Sequence, residues 1–283
     1  MKKAGNYLLT AVPLIAGLGI QMICSTLASL IYGIYYGMRA MADGDKGAMT
    51  QDAILGGFNS IILYVLILSQ LVALLVFGIW YRHQNRGREK KRLTQVVHVK
   101  TLGGILFLGI GLQLFTNLFL QIAYMLIPDA LEQYAALVET VGIGQANVVS
   151  VLATVILAPI VEEIMFRGIT FRIAKRAGAG FLLANLIQAG AFGIYHFNLI
   201  QGIYAAMLGF VLGYVTEKYD SVYPSVLLHL AYNFAATILS AVAAVLPENA
   251  GTQVMIMVVM AATTLLGIWF FYSDRQDAGV KQI

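Results

Sequence analysis

Val148–Ile160 reads VVSVLATVILAPI, and the next eight residues, Val161–Gly168, read VEEIMFRG. Thirteen residues without a charge run straight into two carboxylates and a guanidinium. The apolar run has the composition of a helix inside hydrocarbon, where every backbone polar group must be satisfied within the segment. The charges at its end are costly there, on the order of 2.5–3.5 kcal/mol each near the bilayer centre on insertion scales. Such residues turn toward the protein interior and serve function.

The rest of the chain extends that reading. Of 283 residues, 59% are hydrophobic and 11% charged, against about 25% charged in ordinary soluble domains. A membrane helix needs about 20 apolar residues. That ruler predicts eight spans, near 7–36, 54–81, 101–127, 148–166, 181–196, 200–217, 222–246 and 252–272. The expected fold is an all-α, polytopic helical bundle in a single transmembrane domain, 1–283. Its polar core lies near 145–245, with the helices of 1–127 accessory to it. The first apolar run, Tyr7–Tyr36, exceeds the roughly 7–15 residues of a signal-peptide core, so it reads as a retained helix.

Lys and Arg gather in cytoplasmic loops. Eight spans put sixteen of them on the side holding both termini, the 82–100 and 167–180 loops and the 218–221 turn, and leave only Arg39 and Lys46 opposite. Both termini are therefore expected in the cytoplasm, and Arg167 at the start of a cytoplasmic loop implies a cavity opening to that side. The pI near 9.1 follows from these loops, so no nucleic-acid partner is implied. The basic segment RHQNRGREKKR, 82–92, reads first as a topology determinant and second as a contact for anionic headgroups. Cys24 is the only cysteine, which rules out an intramolecular disulfide.

The ionisable residues inside the spans are few: Glu162, Glu163, His196 and His229, with Arg167 at a helix end. Glu163 and Arg167 stand four apart and share a helical face. Glu162 points about 100° away, free to face a cavity. Pro159 removes a backbone hydrogen bond just upstream. Phe192 and His196 are four apart, with Asn185 and Gln188 continuing the stripe, and so are His229 and Asn233. Taken singly, each set reads equally well as interhelical hydrogen bonding, and both Glu can be paired off by Arg167 and Arg172. Together they offer a carboxylate, two imidazoles and an amide, which suits addition of water to a carbonyl.

Glu162-Glu163-x-x-x-Arg167, Phe192-x-x-x-His196 and His229-x-x-x-Asn233, in that order on membrane helices, resemble the three motifs of the CPBP family, the CAAX protease and bacteriocin-processing (Abi) membrane proteins. The resemblance implies an intramembrane endopeptidase in which Glu162 activates water, Glu163 and Arg167 order it, and His196, His229 and Asn233 polarise the carbonyl or hold the oxyanion. Phe192 would pack behind His196. It implies a peptide or protein substrate, with or without a lipid, and a bacterial plasma membrane. Zinc held by Glu162, His196 and His229 is the alternative to a metal-independent glutamate mechanism. The latter is preferred because no H-E-x-x-H pairing is present and a liganding Glu162 would leave only Glu163 as base. A non-catalytic bacteriocin-immunity protein and a proton-coupled transporter are the other classes considered.

Elsewhere Gln70, Gln113, Asn117 and Gln121 read as interhelical hydrogen-bond partners. Gly209 and Gly213 form a small-xxx-small pair for close helix approach. His83 and His98 read as solvated.

Overall fold

A computed structural model of the chain describes residues 6–43, 50–87, 91–141, 147–243, 245–247 and 249–277. Lys2, Lys3, Lys46, Arg88, Lys90 and Lys281, among the cations that orient the chain, lie outside the described residues. Every regular element described is helical. We number them α1 (Val12–Asp43, after a 3-10 turn at Leu9–Ala11), α2 (Gln51–Gln84), α3 (Val99–Leu126), α4 (Pro128–Val141), α5 (Val148–Arg176), α6 (Phe181–Tyr195), α7 (Leu199–Tyr219), α8 (Tyr223–Ala243) and α9 (Ala250–Asp277).

Seven of these helices are long and apolar enough to cross a membrane, and α6 is apolar but shorter. The chain is an integral membrane protein and an all-α polytopic bundle. α5 and α7 are the innermost, 44% of each apolar window being buried, against 11% for α1. On the outer helices large apolar side chains such as Ile31, Leu75 and Leu265 face outward at more than half exposure, as lipid-facing surfaces do.

Two departures from the sequence reading matter for the site. α4 fills part of what was read as an outer loop. α5 does not stop at 166: it continues to Arg176, so Arg167 begins no loop and is completely buried. Lys218, assigned to a turn, is buried as well. Its ammonium donates to the Phe271 carbonyl and stands 4.9 Å from the ring centroids of both Tyr219 and Phe271. Both residues had been counted as loop charges, yet each has its charge balanced or cradled inside the protein. His83 and His98, by contrast, are exposed as expected.

Close approach between α6 and α7 holds the polar centre together. A Cβ on Gly209 would stand 3.0 Å from Phe192 and 3.1 Å from Arg167, and one on Gly213 would collide with the amide of Asn185. The missing side chains let the stripe on α6 reach α7's backbone: Asn185 Nδ2 donates to the Phe210 carbonyl (2.9 Å) and Gln188 Nε2 to that of Gly209 (2.8 Å). The stripe read as polar is thus a clamp between helices.

Candidate active site

The site starts from a broken helix. α5 is not a uniform α-helix: Val151–Leu157 and Glu163–Thr170 are π-helical, with an α-helical piece, Ala158–Glu162, between them. Such wider turns are rare and recur at functional sites. Ala158 N–H donates to the Ala153 carbonyl and Phe171 N–H to that of Phe166, both five residues back. One step beyond Ala158, the same ladder would join residue 159 to the Thr154 carbonyl. Pro159 has no N–H to give. Asn233 Nδ2, from α8, donates to that carbonyl instead, at 2.8 Å.

Two carboxylates follow this break, in unequal settings. Glu163 is fully buried, and its Oε1 accepts from Arg167 Nη1 at 2.9 Å. It also stands 2.9 Å from His229 Nδ1. Because a carboxylate engaged by a guanidinium only accepts, the hydrogen of this second bond belongs to His229 Nδ1. The Arg167 guanidinium lies 4.4 Å over the Phe192 ring, a favourable placement for a desolvated cation. Phe192 in turn sits 5.0 Å from the His196 ring and 5.7 Å from that of His229. It packs between the two imidazoles.

Glu162 pairs with neither arginine. Arg172 turns away, donating to Asn85 Oδ1 and lying 5.5 Å over Tyr81. The nearest cationic or imidazole nitrogen to Glu162 is His229 Nε2, 3.8 Å from Oε2, too far for a direct hydrogen bond and close enough for one water to touch both. Glu162, Phe192, His196, His229 and Asn233 share the wall of one cavity of about 540 Å³. The motif residues therefore converge, with Glu163 and Arg167 buried behind the wall.

The cavity runs from Glu162 past Thr154, Thr116 and Thr237 to Tyr134 and Leu137 of α4. α4 is tied down there by a hydrogen bond between Tyr134 and Tyr204 (2.9 Å). The basic segment lies at the other end of the bundle, where Arg176 donates to the Gln84 carbonyl and Lys175 pairs with Glu217. The cavity thus extends away from the basic end, not toward it. The opposite expectation rested on Arg167 leading into a loop, and Arg167 lies inside α5.

Two residues read as structural also line this cavity. Among the described residues Gln113 hydrogen-bonds its helical neighbour Asn117 alone (3.5 Å). Gln70, 3% exposed, has its Oε1 buried with no hydrogen-bond partner among the described residues. Gln121 does bridge helices, to Gln253 at 3.4 Å. Nothing in sequence separates these glutamines, since an amide on an apolar helix looks the same whether its partner is a helix or a ligand.

Among the described residues no group of three or more His, Cys, Asp or Glu side chains, Glu162, His196 and His229 included, is placed so as to hold a metal ion.

No curated protein and no solved structure matches the chain. A family model does: residues 144–235 match Rce1-like, described as type II CAAX prenyl endopeptidase Rce1-like. The matched stretch contains all seven motif residues and leaves α1, α2, α3, α4 and α9 outside it. Over residues 144–235, less than half of its length, the chain is similar to the Rce1-like type II CAAX prenyl endopeptidases.

Proposed function

We propose that the protein is a metal-independent intramembrane endopeptidase in which Glu162 activates the water that attacks the scissile carbonyl. The observation that carries this reading is the inequality of the two carboxylates. Glu163 is spent on Arg167 and His229, while Glu162 faces the cavity with no hydrogen-bonded partner among the described residues.

The neighbouring groups supply the remaining roles. With its Nδ1 hydrogen donated in a hydrogen bond to Glu163, the His229 tautomer that carries no hydrogen on Nε2 accepts one hydrogen of the water there and leaves the other directed at Glu162. Glu162 takes that proton as the water oxygen bonds to the carbonyl carbon. His196 makes no side-chain hydrogen bond to another described residue, so a ring N–H is free to donate to the oxyanion. Collapse breaks the C–N bond, and Glu162 returns the proton to the departing amine. Asn233 is a positioning residue: it holds the Thr154 carbonyl at the break that sets Glu162's direction.

The test is mass spectrometry of membrane-anchored peptides incubated with the purified protein in proteoliposomes. Fragment pairs whose masses sum to the substrate plus one water are expected, at a rate that chelator leaves unchanged. Loss of cleavage with chelator, restored by zinc, would replace the glutamate mechanism by a metal-dependent one. Binding with unchanged peptide mass would identify an immunity or binding protein, and proton-coupled uptake that requires Glu162 a transporter.

Gln70 gives a second measurement on the same assay. A buried amide oxygen without a donor costs about 1–3 kcal/mol, and a substrate backbone N–H in the cavity would satisfy it. Gln70→Ala is expected to raise KM about three- to tenfold, the worth of one neutral hydrogen bond, with kcat unchanged. Thermal stability should not fall. A loss of stability with KM unaltered would assign Gln70 to packing alone.

A further inference from the structure

A second cavity, of about 710 Å³, lies on the other side of α5 and shares no lining residue with the first. Glu162 faces one and Ile164 the other. One wall is a stripe of α2 at helical spacing: Leu71, Leu75, Gly78 and Ile79, ending in Arg82. Leu71, Leu75 and Ile79 are 49%, 65% and 61% exposed, so this wall is continuous with the lipid-facing surface. Gly78 forms a trough in it, since a Cβ added there meets nothing within 4 Å.

The far end is polar and cationic. Arg82, Lys91 and Arg172 line it together with one carboxylate, Asp220. Lys91 is held there by donating to the Tyr219 carbonyl at 2.9 Å, and Arg172 by Asn85 and Tyr81. The anchor on Lys91 is a neutral carbonyl, which fixes that cation in place without cancelling its charge. Among the described lining residues, three cationic side chains and one carboxylate thus stand at the mouth of an apolar trough. This is the end of the bundle that carries the basic segment, the side on which cytoplasmic leaflets present anionic headgroups.

We propose that this groove binds one anionic phospholipid, its phosphate against Arg82, Lys91 and Arg172 and one acyl chain laid along Leu71, Leu75 and Ile79 over Gly78. An exposed apolar wall inside the bilayer and a cationic cap at its edge match the two halves of such a lipid. A soluble peptide would leave the wall in contact with lipid, and a free phosphate would leave it unused. The site is independent of the protease reading.

Native mass spectrometry of the full-length protein, released from micelles containing equal phosphatidylglycerol and phosphatidylcholine, tests it. One phosphatidylglycerol retained in preference to phosphatidylcholine is expected. Arg82→Gln should cut that preference about fivefold, the worth of one cation near an anionic surface. Gly78→Trp fills the trough without meeting a neighbour and should abolish retention of the bound lipid with all three cations intact. Equal retention of the two lipids, or phosphatidylglycerol retained undiminished by Gly78→Trp, would overturn the proposal. Displacement by millimolar inorganic phosphate with no effect of Gly78→Trp would reduce it to an anion site. Cleavage activity is measured alongside, and a defect there bears on the other cavity alone.

Discussion

Glu162→Gln is expected to abolish peptide hydrolysis, by a factor of at least about 10²–10⁴, the usual worth of a positioned general base. Glutamine keeps the shape of the side chain and its hydrogen-bonding reach but cannot take a proton from water. The protein should insert and fold as before, because among the described residues Glu162 pairs with no Lys or Arg and its approach to His229, at 3.8 Å, is longer than a hydrogen bond. Its stability should hold or rise slightly, since the substitution removes a carboxylate that is 6% exposed and has no hydrogen-bonded partner among the described residues. A rate loss without a stability loss is the signature of a reactive group held at the expense of the fold. His229→Ala and His196→Ala should also abolish cleavage, while Glu162→Gln with full activity would reject the assignment of the base. The measurement is initial rate in proteoliposomes beside unfolding in detergent.

The same residues show how much could be read from the chain alone. Hydropathy gave the helices because a span must be apolar along nearly its whole length, and spacing of four put each motif pair on one face. Other features left no such trace. Arg167 and Lys218 look like loop charges in sequence, since a charge satisfied in the interior is spelled with the same letter as one in water. That ambiguity ended α5 too early and pointed the cavity toward the basic end. The π-helical turns carry no periodic signature over seven or eight residues; only Pro159 hinted at a break, and its answer, Asn233, lies 74 positions on. The helical face of α4 went unread because Asp129, Glu132 and Glu139 make that segment look like a loop. Gln70 was classed with Gln121, and the distinction between them lies in what stands opposite.

The largest effect on stability belongs to Arg167. Arg167→Met replaces the guanidinium with an apolar side chain of comparable length and leaves the fully buried Glu163 without its cationic partner. Removing one member of a buried ion pair costs about 3–5 kcal/mol, a large share of the roughly 5–15 kcal/mol that holds an ordinary domain together. The loss is expected in denaturant unfolding of the detergent-solubilised protein. The double substitution Arg167→Met with Glu163→Gln should recover most of it, because neither the cation nor the uncompensated anion is then buried. Activity should not return with stability. Without the Glu163 carboxylate, nothing fixes the Nδ1 hydrogen of His229, and its Nε2 presents a lone pair or a hydrogen to the water with no preference. A double-mutant cycle on unfolding free energy should give a coupling of at least about 2 kcal/mol, within the range for contacting residues. A coupling near zero would mean that Arg167 and Glu163 stabilise the bundle separately. Recovery of cleavage in the double variant would remove the orienting role from Glu163 and leave it a structural partner of Arg167.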